Sequence, residues 1–278
     1  MEDISIEDKV KIASGFLLAS PPGEVNDVFN DVRTLVDDDK ALESGILTTL
    51  EEYNTEQLIT VIPPGLDYEV IVSKHGKVDL DRYLDPRSKK SFQFDHIRLV
   101  ATELKDHTED LPIEDFRAAV ETEAHKYVND HYPNGVCSVY GLDENNIAIA
   151  IVDNKYNPNN YWNGRWLATW VYNRETGALK GATKVHVHYY EDGNVQLNSD
   201  KKSDSTVTFK EDVTVTAKAI VKEITTFDKR YHTAVNNSYE ELAENAFKGL
   251  RRALPLTRNK LDWNKIMNYK IGNELSQK

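Results

Sequence analysis

From Asp212 to Pro255, apolar residues recur every three or four positions: Ala217, Ile220, Ile224, Phe227, Tyr231, Ala234, Leu242, Ala246, Phe247 and Leu250, with one gap. That spacing predicts a single helix of about 40 residues, which at ~1.5 Å per residue is about 60 Å long. A rod of that length cannot be buried inside a small domain. It needs a wide sheet to lie across.

The chain supplies part of such a sheet. CSVYGL, NIAIAIV, RWLATWVYN, KVHVHYYE and NVQLNS are strand-like runs separated by DENN, NPNNYWNG, NRETG and EDGN. Turn-sized connections between successive strands favour an antiparallel meander. Five short strands do not seat the whole helix, so a partner chain contributing the remainder of the sheet is the economical expectation.

Ahead of the meander, the first 55 residues read as three helices. Ile6, Val10, Ile12, Ala13, Phe16 and Leu17 form one apolar stripe, and SPPGE at 20 to 24 ends that helix and opens the next. Val25, Val28, Phe29, Val32 and Leu35 carry the second helix; Leu42, Ile46, Leu47 and Leu50 carry a third after the DDDK turn. Short strands are expected at LITVI, YEVIVS and SFQFDHIRLV, and a helix from Ile113 to Tyr132. The fold class is therefore α+β: an antiparallel helical stalk, an antiparallel sheet and a long C-terminal helix. The expected divisions are 1–55, the stalk; 56–211, the mixed strand and helix region with the sheet; 212–254, the long helix; and 255–278, a tail.

Composition narrows the function. The apolar runs are strand-sized, none approaching the ~20 residues of a membrane-spanning helix, and MEDISIEDKV lacks the basic, apolar pattern of a secretory leader. A single cysteine, Cys137, excludes an intramolecular disulfide and suits a reducing cytoplasm. Net charge is −12, but from Lys248 onward eight basic residues face only Asp262 and Glu274, giving that segment +6 and leaving −18 elsewhere. Such asymmetry marks a segment aimed at an acidic partner. The acidic body opposes binding to double-stranded nucleic acid.

Motifs for chemistry are weak. His186 and His188 alternate along a strand and share a face, but no HExxH, cysteine pair or carboxylate triad accompanies them. VDNKYNPNNYWNG lacks calcium-loop spacing and reads as a broad hairpin turn. There is no phosphate-cradling glycine loop or nucleophile elbow. No enzymatic activity, metal or cofactor is expected.

The tail carries the stronger signal. Lys248, Arg251 and Arg252 share a helix face at i, i+3 and i+4. Beyond Pro255, Asn259 can cap a further helix with Trp263, Ile266, Met267 and Ile271 along one stripe, Lys265 and Asn268 opposite, and Gly272 as a stop. An aromatic anchor and an adaptable methionine ringed by basic residues suit a hydrophobic cleft on an acidic protein. A basic amphipathic helix lying on anionic lipid, as in a peripheral membrane adaptor, is the alternative; an enzyme with an unrecognised site in the β section is a third.

Two stretches, VHYYEDGNV at 187 to 195 and FKGLRRALP at 247 to 255, resemble the signature motifs of the F-actin-capping protein α subunit family. ASPPGEVNDVFNDVR, LDPRSKKSFQFDH and TRNKLDWNKIMNYKIG extend the likeness over essentially the whole chain. The resemblance implies an obligate heterodimer with a homologous β subunit, a single antiparallel sheet shared between them, and a mobile actin-binding tentacle at each C-terminus. It implies capping of the filament barbed end, independent of calcium and without chemistry, in the cytoplasmic actin cytoskeleton. Carried over to this sequence, it implies actin contact by Lys248, Arg251, Arg252, Arg258 and Lys260, with Trp263, Ile266 and Met267 packing into an actin cleft. It further implies phosphoinositides competing at Lys248, Arg251 and Arg252, and regulators, among them capping-protein-interacting peptides, engaging the stalk.

Overall fold

The computed structural model describes residues 4–36, 38–108, 111–191 and 193–246. Within it the chain divides into two compact units, residues 1–228 and 229–278.

The first unit begins with α1 (Ile6–Leu18), α2 (Val25–Val36) and α3 (Asp39–Glu56). Ser5 caps α1 by accepting from the Asp8 amide at 3.1 Å, and Asp38 caps α3 by accepting from that of Ala41 at 3.0 Å. Ala13, Leu17, Val25, Val32, Val36, Leu42, Ile46, Leu50 and Tyr53 form the shared core. Here the periodicity of 3.6 acted as expected: one stripe from each helix is buried.

Next come β1 (Thr60–Val61) and β2 (Val70–Ile71), which pair with each other, and a four-stranded antiparallel sheet of β3 (Lys77–Asp79), β4 (Arg82–Asp85), β5 (Lys90–Asp95) and β6 (Val100–Asp106). SFQFDHIRLV, read as one strand, is two. Asp95 turns the chain by accepting from the amides of Ile97 and Arg98, both at 2.9 Å, and Leu99 takes a positive φ of 55°. The hairpin of β3 and β4 had no alternating apolar signal to find, since β3 is exposed at every position.

A fourth helix, α4 (Glu114–His131), leads into the meander: β7 (Gly135–Gly141), β8 (Asn146–Asn157), β9 (Trp162–Asn173), β10 (Ala178–Tyr189) and β11 (Val195–Thr206). The sheet order is β11-β10-β9-β8-β7, all antiparallel. Four of these strands are 12 residues long, well beyond their apolar runs. The asparagine-rich stretch expected as a broad turn is mostly strand, with the reversal confined to 158–161. Several of its polar side chains bond within the hairpin: Asn163 Oδ1 accepts from the Asn157 amide at 3.3 Å, and Asn154 Oδ1 accepts from Arg165 Nε at 2.7 Å and from the Tyr156 hydroxyl at 2.8 Å.

Helix α5 (Val213–Glu241) follows, its first amides held by Asp212 Oδ1, which accepts from Thr214 at 2.9 Å. Ala217, Ile220 and Ile224 of α5 join Phe116, Val120 and Ala124 of α4 against Val139, Ile149, Ile151, Ala168, Trp170 and Tyr172 of the sheet. On the other face, Tyr140, Ala148, Ala150, Val152 and Leu167 pack with Leu58 and Ile71. The second unit is described over 229–246, where α5 continues to Glu241 and a wider π turn spans Leu242–Ala246. The remainder of the expected 40-residue helix lies outside the described residues.

One cross-strand pair tunes the sheet under α5. Gly181 on β10 sits opposite Trp170 on β9, and a methyl group there would come within 2.3 Å of the indole ring. The buried Trp170 meets Phe227 of α5 edge-on at 5.2 Å between centroids. Gly181→Ala should therefore displace Trp170 and cost about 1–3 kcal/mol, as overpacking does, measurable as a lower urea midpoint with an unchanged m-value.

Candidate functional site

Strand β11 is the open edge of the meander. All twelve of its residues pair with β10 in unbroken register, from Ala178↔Thr206 to Tyr189↔Val195, and among the described residues no strand lies on its other side. Its side chains are mostly polar or charged, including Asp200, Lys201, Lys202 and Asp204, and none is buried. A long edge strand is a template for another chain.

A second unpartnered surface lies on the three-helix packet. Ala13 and Leu17 of α1 face its core, while Ile12 and Phe16, one turn apart on another face, are 52% and 55% exposed. Ile6 on the same helix is exposed, as are Leu35 on α2 and Leu47 on α3. Ile12 and Phe16, adjacent along one helix face, give α1 an exposed apolar strip of the kind that contact surfaces use.

The VHYYEDGNV motif connects these regions. His188 of β10 is 7% exposed, and its Nδ1 donates to Glu24 in the connection between α1 and α2, with Nδ1 to Oε1 at 2.8 Å. The same Glu24 oxygen accepts from Asn163 Nδ2 of β9 at 2.9 Å. Glu24 follows Gly23, whose φ of +79° turns the backbone beneath the Tyr156 ring. Beside it, Arg165 NH1 donates to Gln57, the residue after α3, at 3.1 Å. Tyr53 hydroxyl reaches the carbonyls of Ser20 and Pro21, both at 3.2 Å. The motif is thus a polar joint between helices and sheet. His186, on the same face, engages Gln196 of β11 through Nε2 at 3.2 Å. Among the described residues no group of three or more potential ligands is placed to hold a metal ion.

The β section also holds a buried ionic cluster. Arg117 pairs with Glu114 at 2.8 Å and Glu121 at 3.0 Å and donates to the Val139 carbonyl at 2.9 Å. Cys137 lies 3.3 Å from His125, but burial pushes its thiol up to about 12, so it stays protonated and unreactive at neutral pH. The adjoining cavity, lined by Leu84, Lys89, Glu114, Arg117 and Gly141 among others, measures about 40 Å³, room for little beyond water.

Lys248, Arg251, Arg252, Arg258, Lys260, Trp263, Ile266 and Met267 all lie outside the described residues. What sequence reasoning missed is the joint: Glu24 and Asn163 are distant in sequence from His188, and only the fold brings them together. An incomplete sheet awaiting a partner was expected, but the full length of its last strand was missed, because β11 beyond Ser199 has no apolar alternation.

Truncating Glu24 would leave both His188 Nδ1 and Asn163 Nδ2 without an acceptor in a largely buried site. Glu24→Ala should cost about 1–3 kcal/mol, and His188→Ala in the Glu24→Ala background should add much less than it does alone. A double-mutant cycle by urea denaturation measures both.

Comparison with known proteins fits this architecture. The family model for the F-actin capping protein alpha subunit matches residues 13–274. The F-actin-capping protein subunit alpha of Neurospora crassa is 38% identical, covering 95% of this chain and 96% of the relative. That of Caenorhabditis elegans is 37% identical, covering 99% of this chain and all of the relative. A solved chain described as the homodimeric actin capping protein alpha subunit from Plasmodium berghei shares the fold, with a TM-score of 0.77 at 23% identity, over 92% of this chain and 100% of that one. A whole-length family match, curated relatives well above 30% identity and a common fold agree: the chain belongs to the F-actin capping protein alpha subunit family.

Proposed function

We propose that this chain caps actin filaments at the barbed end, independently of calcium, as the alpha half of a heterodimer with an F-actin-capping protein beta subunit. The observation that carries the partner is the twelve-residue β11 edge, with no further strand beyond it among the described residues. A beta subunit would continue the sheet there and cover the exposed apolar residues of α1. Helix α5 would then lie across a sheet wide enough to seat it.

On this reading the chain works in four parts: residues 1–55 as stalk, 56–211 as the sheet-bearing body, 212–254 as the long helix and 255–278 as the tentacle. Lys248, Arg251 and Arg252 steer the complex onto acidic actin, joined by Arg258 and Lys260, and Trp263, Ile266 and Met267 fill an apolar cleft. Charge of that kind raises the association rate, while a buried aromatic anchor slows dissociation. The same three cations at the start of the tail suit phosphoinositide headgroups, which would compete with actin. Other regulators would act through the stalk. The role is non-enzymatic and belongs to the cytoplasmic actin cytoskeleton; no helix among the described residues is long and apolar enough to cross a membrane. An anionic-lipid adaptor is not carried forward as a separate function, because the family match runs through the tail to residue 274.

The test is elongation of actin from stabilised seeds, with the chain alone, with a co-expressed beta subunit, and with residues 248–278 deleted. Inhibition at amounts far below actin is expected only from the heterodimer and is expected to collapse on deletion. Reversing charge at Lys248, Arg251 and Arg252 should slow association and flatten its salt dependence, and Trp263→Ala should speed dissociation at a cost of roughly 2 kcal/mol or more. A well-folded heterodimer that leaves elongation untouched would overturn the reading.

A further inference from the structure

The last residue of α5 within the first unit is Asp228, a carboxylate only 6% exposed. Its Oδ2 accepts two short hydrogen bonds, from the hydroxyls of Tyr127 and Tyr132, both at 2.8 Å. Its Oδ1 is equally enclosed and meets no donor. Both tyrosines come from α4 and the residue that follows it, so this contact ties α5 to α4 across the top of the apolar core. Phe227, beside Asp228, is the residue that packs edge-on to Trp170.

We propose that Asp228 is a pH-sensitive latch on α5, closed when the carboxyl is neutral and loosened when it ionises. Ionisation places half of the negative charge on an oxygen that nothing solvates, while the other oxygen has already accepted from both available hydroxyls. Lifting the C-terminal end of the seated segment away from α4 lets water reach that oxygen. The strain is relieved by movement of the helix, not by titration of a neighbour.

The surroundings support this sign. Burial raises the Asp228 carboxyl above the usual carboxylate range, outweighing the two tyrosine hydrogen bonds and the opposing influence of His131. His131 of α4 stacks on Tyr127, with centroids 4.7 Å apart, and is the one charged or chargeable group besides the tyrosines acting on the site among the described residues. The sheet side contributes the uncharged Trp166, packed against Tyr132 at 6.4 Å. On α5 itself, the Thr225 hydroxyl donates to the Val221 carbonyl at 2.8 Å, and the following Lys229 and Arg230 are exposed to solvent. A carboxyl that holds its proton more tightly in the folded chain stabilises the fold below its ordinary range. That contribution is lost as pH rises through the raised value.

The experiment is amide hydrogen exchange over residues 220–232, corrected for intrinsic rates, from about pH 4, near the ordinary carboxylate value, up to pH 8, on the chain co-expressed with a beta subunit. Wild type should lose protection as pH rises, by roughly tenfold relative to Asp228→Asn, whose neutral amide keeps an acceptor for the tyrosines. Parallel pH profiles for wild type and Asp228→Asn overturn the proposal. Should Asp228→Asn fail to fold, Tyr132→Phe provides the second reading. Loss of a donor that favours the ionised form should move the wild-type transition to higher pH, and an unmoved transition overturns the latch.

Discussion

Burial of β8 on both faces is the constraint on which the rest of the first unit depends. Ile147, Ile149 and Ile151 face α4 and α5, and Ala148, Ala150 and Val152 face the layer containing Leu58 and Ile71. A strand with six consecutive buried side chains has no solvent face to choose, so both covering layers must form for it to be stable. A one-residue slip would put isoleucines where the alanines leave room and alanines beneath the helices. The unequal sizes of the two sets thus hold the register of the meander, and through it the position of β10 and β11.

The stretches that sequence reasoning read well share a physical character. NIAIAIV is apolar throughout, and the helical stripes through Leu17, Val32 and Ile46 repeat with the helix period, so burial wrote them directly. The stretches read poorly are strands whose stability comes from pairing rather than burial. DKKSDST lies fully within β11 although every one of its residues is charged or hydroxylated, because β10 provides a partner for its backbone along the whole length. The tail is the opposite case: its residue types are informative, but no spacing rule distinguishes a tail that meets actin from one that meets another acidic surface, so the actin contact proposed for it rests on the family motifs.

The VHYYEDGNV motif illustrates how a functional signature can be a joint. His188 spans from the penultimate strand of the sheet to the α1–α2 connection, and its neighbour in register on β11 is Gln196. The helices, the interior strands and the open edge therefore converge on one imidazole. Arg165, reaching Gln57, Asn154 and Tyr156, reinforces the same corner with charge-assisted hydrogen bonds. Rigidity there would keep the helical packet and the sheet edge in a constant relation, so that one partner can meet both surfaces at once.

The composition of β11 carries a consequence for how a neighbour would be aligned along it. The outward-pointing backbone groups of an edge strand can pair at many offsets, and a strand without buried side chains does little to prefer one over another. The signs of Asp200, Lys201, Lys202 and Asp204 do not repeat with the two-residue period of the strand, so an incoming strand with the complementary order would match at one offset and meet like charges at the next. The edge is in that sense graduated like a ruler: backbone provides adhesion, and the order of charges provides the scale that locates the partner.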